Sequence, residues 1–103
     1  MLPVVVDYAF TGKDRNEYSV DIEVFQTENL VMFPEGVSGT FRLFKINESG
    51  EKELLYLIDN HAPYGFHEHD KLPSLHDSRI NIHVKNWQEA WDKFQVKCRE
   101  LTE

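Results

Sequence analysis

A single cysteine, Cys98, excludes an intrachain disulfide. It falls in an apolar helical stripe, where a small buried thiol is common and nothing nearby suggests a nucleophile. No apolar run approaches the roughly 20 residues that span a bilayer, and no charged leader precedes an apolar stretch. The expectation is a cytoplasmic protein without a membrane partner. Basic residues are the minority, 11 Lys and Arg against 18 Asp and Glu, giving a net charge of -7 with the histidines neutral. Neutralising phosphates drives much of nucleic-acid affinity, so binding of that kind requires a local basic patch. A glycine-rich phosphate loop, a G-x-S-x-G elbow and a Cys/His metal knuckle are all missing, as are repeats and low-complexity segments.

What is present is aromatic weight. Seven Phe, four Tyr and two Trp in 103 residues give one small domain, spanning 1–103, large side chains with which to build a core. Disordered chains lack this content. The residues specify no oligomeric state.

Leu2 to Phe10 is β-rich, and Thr11-Gly12-Lys13-Asp14 supplies turn chemistry. Tyr18, Val20, Ile22 and Val24 alternate with Ser19, Asp21 and Glu23, the period of two of a half-buried strand. These segments predict one hairpin. Phe33-Pro34-Glu35-Gly36 breaks the chain. Thr40 to Ile46 and Glu53 to Asp59, joined by Asn47-Glu48-Ser49-Gly50-Glu51, predict a second hairpin. Leu54 to Ile58 is apolar on both faces, as in a central strand. Arg79 to Val84 predicts a further short strand with Ile80, Ile82 and Val84 inward. Asn86 as N-cap with Glu89 three residues on is a capping-box pattern. It opens a helix over 86–102 with the stripe Trp87, Ala90, Trp91, Phe94, Cys98 and Leu101. The fold class is α+β, a mainly antiparallel sheet of about five strands (two hairpins plus one) with the C-terminal amphipathic helix packed on one face.

Four of the five histidines, His61, His67, His69 and His76, fall in the polar connection 59–78. Loops of that length held by a rigid sheet often carry function. Pro63-Tyr64-Gly65 suits a type I turn that folds the chain back and brings His61 towards His67 and His69. If His67-Glu68-His69 is extended, both imidazoles share a side. Two chemistries follow. In one, His67 and His69 act as acid and base with Asp59 orienting an imidazole, and Lys71 or Arg79 stabilises an anionic transition state. Asn60 and His61 complete that candidate catalytic set, and Tyr64 joins Lys71 and Arg79 as a candidate binding residue. In the other, His67, His69 and Asp70, with His61 or His76, ligate a divalent transition metal such as zinc and leave a position open for water. An H-x-H pair specifies neither by itself. A third reading gives the loop histidines no role beyond solvation or bonding to backbone carbonyls. His83, facing away from Ile82 and Val84, reads as a surface residue.

The stretch YLIDNHAPYGFHEH from Tyr56 to His69 resembles a pattern in the TumE-like family of small prokaryotic proteins. There a strand ends in Tyr-Asp-Asn and is followed by a short loop with Gly and then His-x-His. Asp59, Asn60, Gly65, His67 and His69 fall on it. Phe33-Pro34-Glu35-Gly36-Val37 before a strand, and the aromatic C-terminal helix, also look like the family, from about Glu17 onward. Leu57-Ile58 stands where members often have Arg-Tyr. The resemblance implies the toxin component of a toxin–antitoxin pair, with a small helix-turn-helix antitoxin as partner. Such toxins often act on RNA, and joined to the acid–base reading of His67 and His69 this gives the expectation of a metal-independent endoribonuclease with an RNA substrate.

Overall fold

The alternation at Tyr18, Val20, Ile22 and Val24 becomes the spine of the sheet, with all four side chains buried on one face. The computed structural model describes residues 2–60, 65–69 and 79–103. Among these the chain forms β1 (Val4–Thr11), β2 (Glu17–Gln26), β3 (Val37–Ile46), β4 (Lys52–Asp59), β5 (His67–His69), β6 (Ile80–Asn81) and α1 (Trp87–Leu101). The strands lie side by side in chain order, each antiparallel to the last, in one sheet. The architecture is α+β, with the helix packed on one face of the sheet.

Residues paired across antiparallel strands point to the same side, so the register defines the two faces. Val20 pairs with Leu43 and Leu43 with Tyr56, while Ile22 pairs with Phe41 and Phe41 with Ile58. This is the core face. Phe94 of α1 sits on it, its ring 5.7 Å from that of Phe41 and 5.8 Å from that of Tyr56. Ala90 and Cys98, one turn to either side, are buried with it. Burial pushes the Cys98 thiol up to about 12, so it is no thiolate near neutrality. Trp87 and Trp91 are half-buried at the core's margin, whereas Leu101, expected in the stripe, is exposed in the last helical turn.

The helix begins as its sequence requires. The Asn86 side chain accepts from the Glu89 N–H, and the Glu89 carboxylate accepts from the Lys85 N–H. At its other end the Thr102 carbonyl accepts from the Asp14 N–H, tying the helix to the first hairpin. In that turn the Tyr18 hydroxyl donates to Asp14, and this bond is the main reason the Asp14 carboxyl lies below its ordinary range. The second hairpin turns on Asn47, whose side-chain oxygen accepts from the Ser49 and Glu51 amides.

Two expectations need correction. The strand expected over 79–84 is only Ile80–Asn81. The Asn81 side chain accepts from the His83 N–H and His83 takes a left-handed φ of 46°, which turns the chain out of the ladder. Ile80, on the edge strand opposite Glu68, is exposed although it shares the face of Ile58, while Ile82 is buried. The segment His67–His69, expected within the loop, is itself a strand, and it carries the sheet one strand further. No described helix is long and apolar enough to cross a membrane.

Gly12 is where first hairpin and helix end meet. A Cβ there would stand 2.7 Å from Asp14 Oδ1, 2.7 Å from the Tyr18 ring and 2.9 Å from the Thr102 carbonyl. Gly12→Ala should destabilise the fold by about 1–3 kcal/mol, as overpacking does. A lowered urea midpoint at unchanged slope would show it; an unchanged midpoint would mean that the turn gives way freely.

Candidate metal centre

Asp59 is the last residue of β4, and the antiparallel register sets it opposite His67, while Leu57 stands opposite His69. Residues two apart on a strand share a face. Asp59, His67 and His69 therefore converge on the side of the sheet away from α1. One potential ligand atom from each lies within 4.8 Å of those of the other two, and this is the sole such group of three among the described residues. His67 and His69 are buried, at 1% and 5% exposure, and Asp59 is half-buried. The imidazoles meet edge to face with centroids 4.9 Å apart.

The two nitrogens of His67 have different neighbours. Nδ1 lies 2.8 Å from the Gly65 carbonyl, which can only accept, so Nδ1 carries a hydrogen. Nε2 lies 2.6 Å from Asp59 Oδ1. A neutral ring would present its Nε2 lone pair to a carboxylate oxygen, two acceptors face to face. Either a second proton or a bound cation has to stand between them. Gly65 can play its part because its φ of 65° is one that side chains rarely allow.

β5 is held from both sides. On the core face Glu68 accepts a hydrogen bond from the buried Tyr56 hydroxyl. On the open face stands the His67–Asp59 pair. Asn60, just beyond β4, is fully buried, and its side-chain amide works as a strand residue would. Its Oδ1 accepts from the Gly39 N–H at 2.9 Å and its Nδ2 donates to the Val37 carbonyl at 2.7 Å. The side chain extends the β3–β4 ladder past Asp59 and fixes where that carboxylate sits. Asn60, expected among catalytic residues, is thus engaged in positioning.

Of the other sequence candidates, Arg79 is exposed just before β6. His61, Tyr64, Asp70, Lys71 and His76 lie outside the described residues. His83 is exposed, as expected. Arg42 was not anticipated: it pairs with Leu57 in the row that ends at His69, on the face that carries the cluster, and ion-pairs with Asp21 at 3.8 Å. Only the register across β3, β4 and β5 reveals that placement, since 27 positions separate Arg42 from His69 in the chain.

Two imidazoles and a carboxylate offer nitrogen and oxygen donors of the kind that bind zinc-class divalent ions. In such sites the ring nitrogen away from the metal donates to a backbone carbonyl, as His67 Nδ1 does here. Seating an ion at ordinary bond lengths in a tetrahedral shell sets ligand atoms about 3.4 Å apart, so Asp59 and His67 must part from 2.6 Å while the wider separations in the group, up to 4.8 Å, close. No protein-family model matches the chain, and no curated protein or solved structure matches it.

Asn60→Ala should cost at least about 2 kcal/mol, since it strips partners from the Gly39 amide and the Val37 carbonyl together. Chemical denaturation measures the loss, and a cost under half that would assign the clamp little weight.

Proposed function

We propose that this chain is a cytoplasmic metal-binding module that holds a divalent transition metal such as zinc on Asp59, His67 and His69. The observation that carries the reading is the His67 ring. Its Nδ1–H is committed to Gly65, which turns Nε2 towards Asp59 and the cluster. A cation there would join the two acceptors in place of a second proton on the ring. Three protein ligands leave room in a four-coordinate shell for water or a further ligand.

Dialysed protein should retain zinc close to one equivalent by elemental analysis, and His67→Ala should retain none. Saturating zinc should raise the melting temperature of the parent chain, since a ligand at a hundred times its Kd stabilises by about 2.7 kcal/mol. It should leave His67→Ala unmoved. Equal zinc uptake by parent and variant would remove His67 from the site.

A second reading is favoured by the Asp59–His67 contact taken as a carboxylate orienting an imidazole. On that reading the chain is a TumE-like toxin component that cleaves RNA with His67 and His69 as acid and base, held in check by a helix-turn-helix antitoxin. It is weaker because both nitrogens of His67 already face acceptors and the ring is buried, so a substrate proton has no direct route to it. Expression in growing cells separates the readings. Growth arrest with fragmentation of total RNA, abolished by His67→Ala with His69→Ala, would favour the toxin. Normal growth with intact RNA would leave the metal module.

A further inference from the structure

Asp7 of β1 lies directly opposite Asp21 of β2, and like charges so placed repel. Arg42 answers Asp21 from the β3 side at 3.8 Å. Asp7 is exposed on the outer side of that row, and among the described residues no ion pair reaches it. Glu23, opposite Val5, adds a further carboxylate to the same face. The row reads Asp7, Asp21, Arg42 from the sheet's edge inward, two carboxylates answered by one cation, so a cation outside Asp7 would offset the remaining negative charge.

β1 is the edge of the sheet, eight residues long and paired with β2 at every position without a bulge. Among the described residues no strand pairs with its outer side. It lacks the usual guards of an edge, having no Lys, no Pro within the strand and no irregularity. Val5 and Tyr8 are 61% and 47% exposed. On its core-face side the edge opens onto a groove of about 200 Å³ lined by Tyr8, Phe10, Phe94, Cys98, Arg99 and Thr102.

We infer that β1 is a docking edge for an extended segment of another protein in which basic and apolar residues alternate. The incoming strand would pair with the free backbone groups of β1, since strand addition takes its affinity from the main chain and its specificity from alternate side chains. Basic side chains fall beside Asp7, with Glu23 one strand further in, behind Val5, adding to the negative field they enter. Apolar ones fall in the aromatic groove, where Arg99 disfavours a second cation. The occupant is not a second copy of this chain. Placing β1 against itself would add another Asp7 to the row and bring no cation.

The probe is an eight-residue peptide alternating lysine with valine, with a glutamate–valine peptide as control, each titrated into the full chain and followed by amide NMR. The lysine peptide should shift the amides of Val4–Thr11, slow their exchange and bind more weakly as salt rises. The glutamate peptide should not bind. Asp7→Lys, at an exposed site, should weaken the lysine peptide roughly five- to tenfold. It should admit the glutamate peptide and keep a melting temperature at or above the parent's, because the Asp7–Asp21 repulsion is gone. Asp7→Asn should lie between the two. Equal binding of both peptides, shifts confined to other strands, or no binding by either would overturn the proposal. So would a concentration-dependent dimer by sedimentation whose formation protects the β1 amides.

Discussion

A three-residue strand makes too few ladder bonds to hold itself in place, yet the placement of both buried imidazoles depends on β5 staying registered on β4. What holds it lies on its two faces. Glu68 takes the Tyr56 hydroxyl on the core face, and His67 meets Asp59 at 2.6 Å on the other. Tyr56 in turn is packed against Phe94, so the helix that closes the core also fixes the hydroxyl to which β5 is anchored. A one-residue slip would turn Glu68 towards the cluster and both histidines into the core. The register and the site are therefore one constraint.

The sheet is divided by the same logic. One face is apolar and covered by α1; the other collects Asp7, Asp21, Glu23, Arg42 and the Asp59 cluster. Concentrating carboxylates on the face away from α1 is tolerable where they stay in water, as Asp7 and Glu23 do, because their repulsion is screened. It leaves that face with an attraction for cations, whether a metal ion between Asp59 and the histidines or a basic side chain beside Asp7. The chain's net charge of -7 acts in the same direction.

Much of the fold was legible because it rests on local pattern. The alternation from Tyr18 to Val24 names its own buried face, and Asn86 with Glu89 marks the helix start to the residue. The end of the sheet was not legible, because His-Glu-His has no apolar alternation and becomes a strand only through pairing with β4. The expected strand over 79–84 failed for a local reason, the Asn81 side chain capturing the His83 amide. In the site, the spacing of His67 and His69 correctly implied a shared face. The carboxylate that joins them among the described residues is Asp59, eight positions upstream of His67 and brought there by register, not by adjacency. The company Asn60 keeps in the sequence suggests chemistry; its buried amide accepts from the Gly39 N–H and donates to the Val37 carbonyl, contacts that only the fold reveals.

The choice between acid–base and metal chemistry turns on what a buried imidazole has left to give. A general acid or base needs one ring nitrogen turned towards substrate, with the other held to fix the tautomer. His67 has the holding contact at Gly65, but its second nitrogen faces a carboxylate that the Asn60 clamp keeps in place. Moving a proton from that nitrogen to a substrate would mean breaking the contact inside a site with 1% of the ring exposed. A metal ion would need only a rotation of the half-buried Asp59 side chain to bring the carboxylate and the Nε2 of His67 to bonding distance together. Burial hinders the one chemistry and favours the other, because excluding water strengthens the attraction of a cation to Asp59. The same geometry that would make His67 a poor proton shuttle is the one that suits it to the proposed role of ligand.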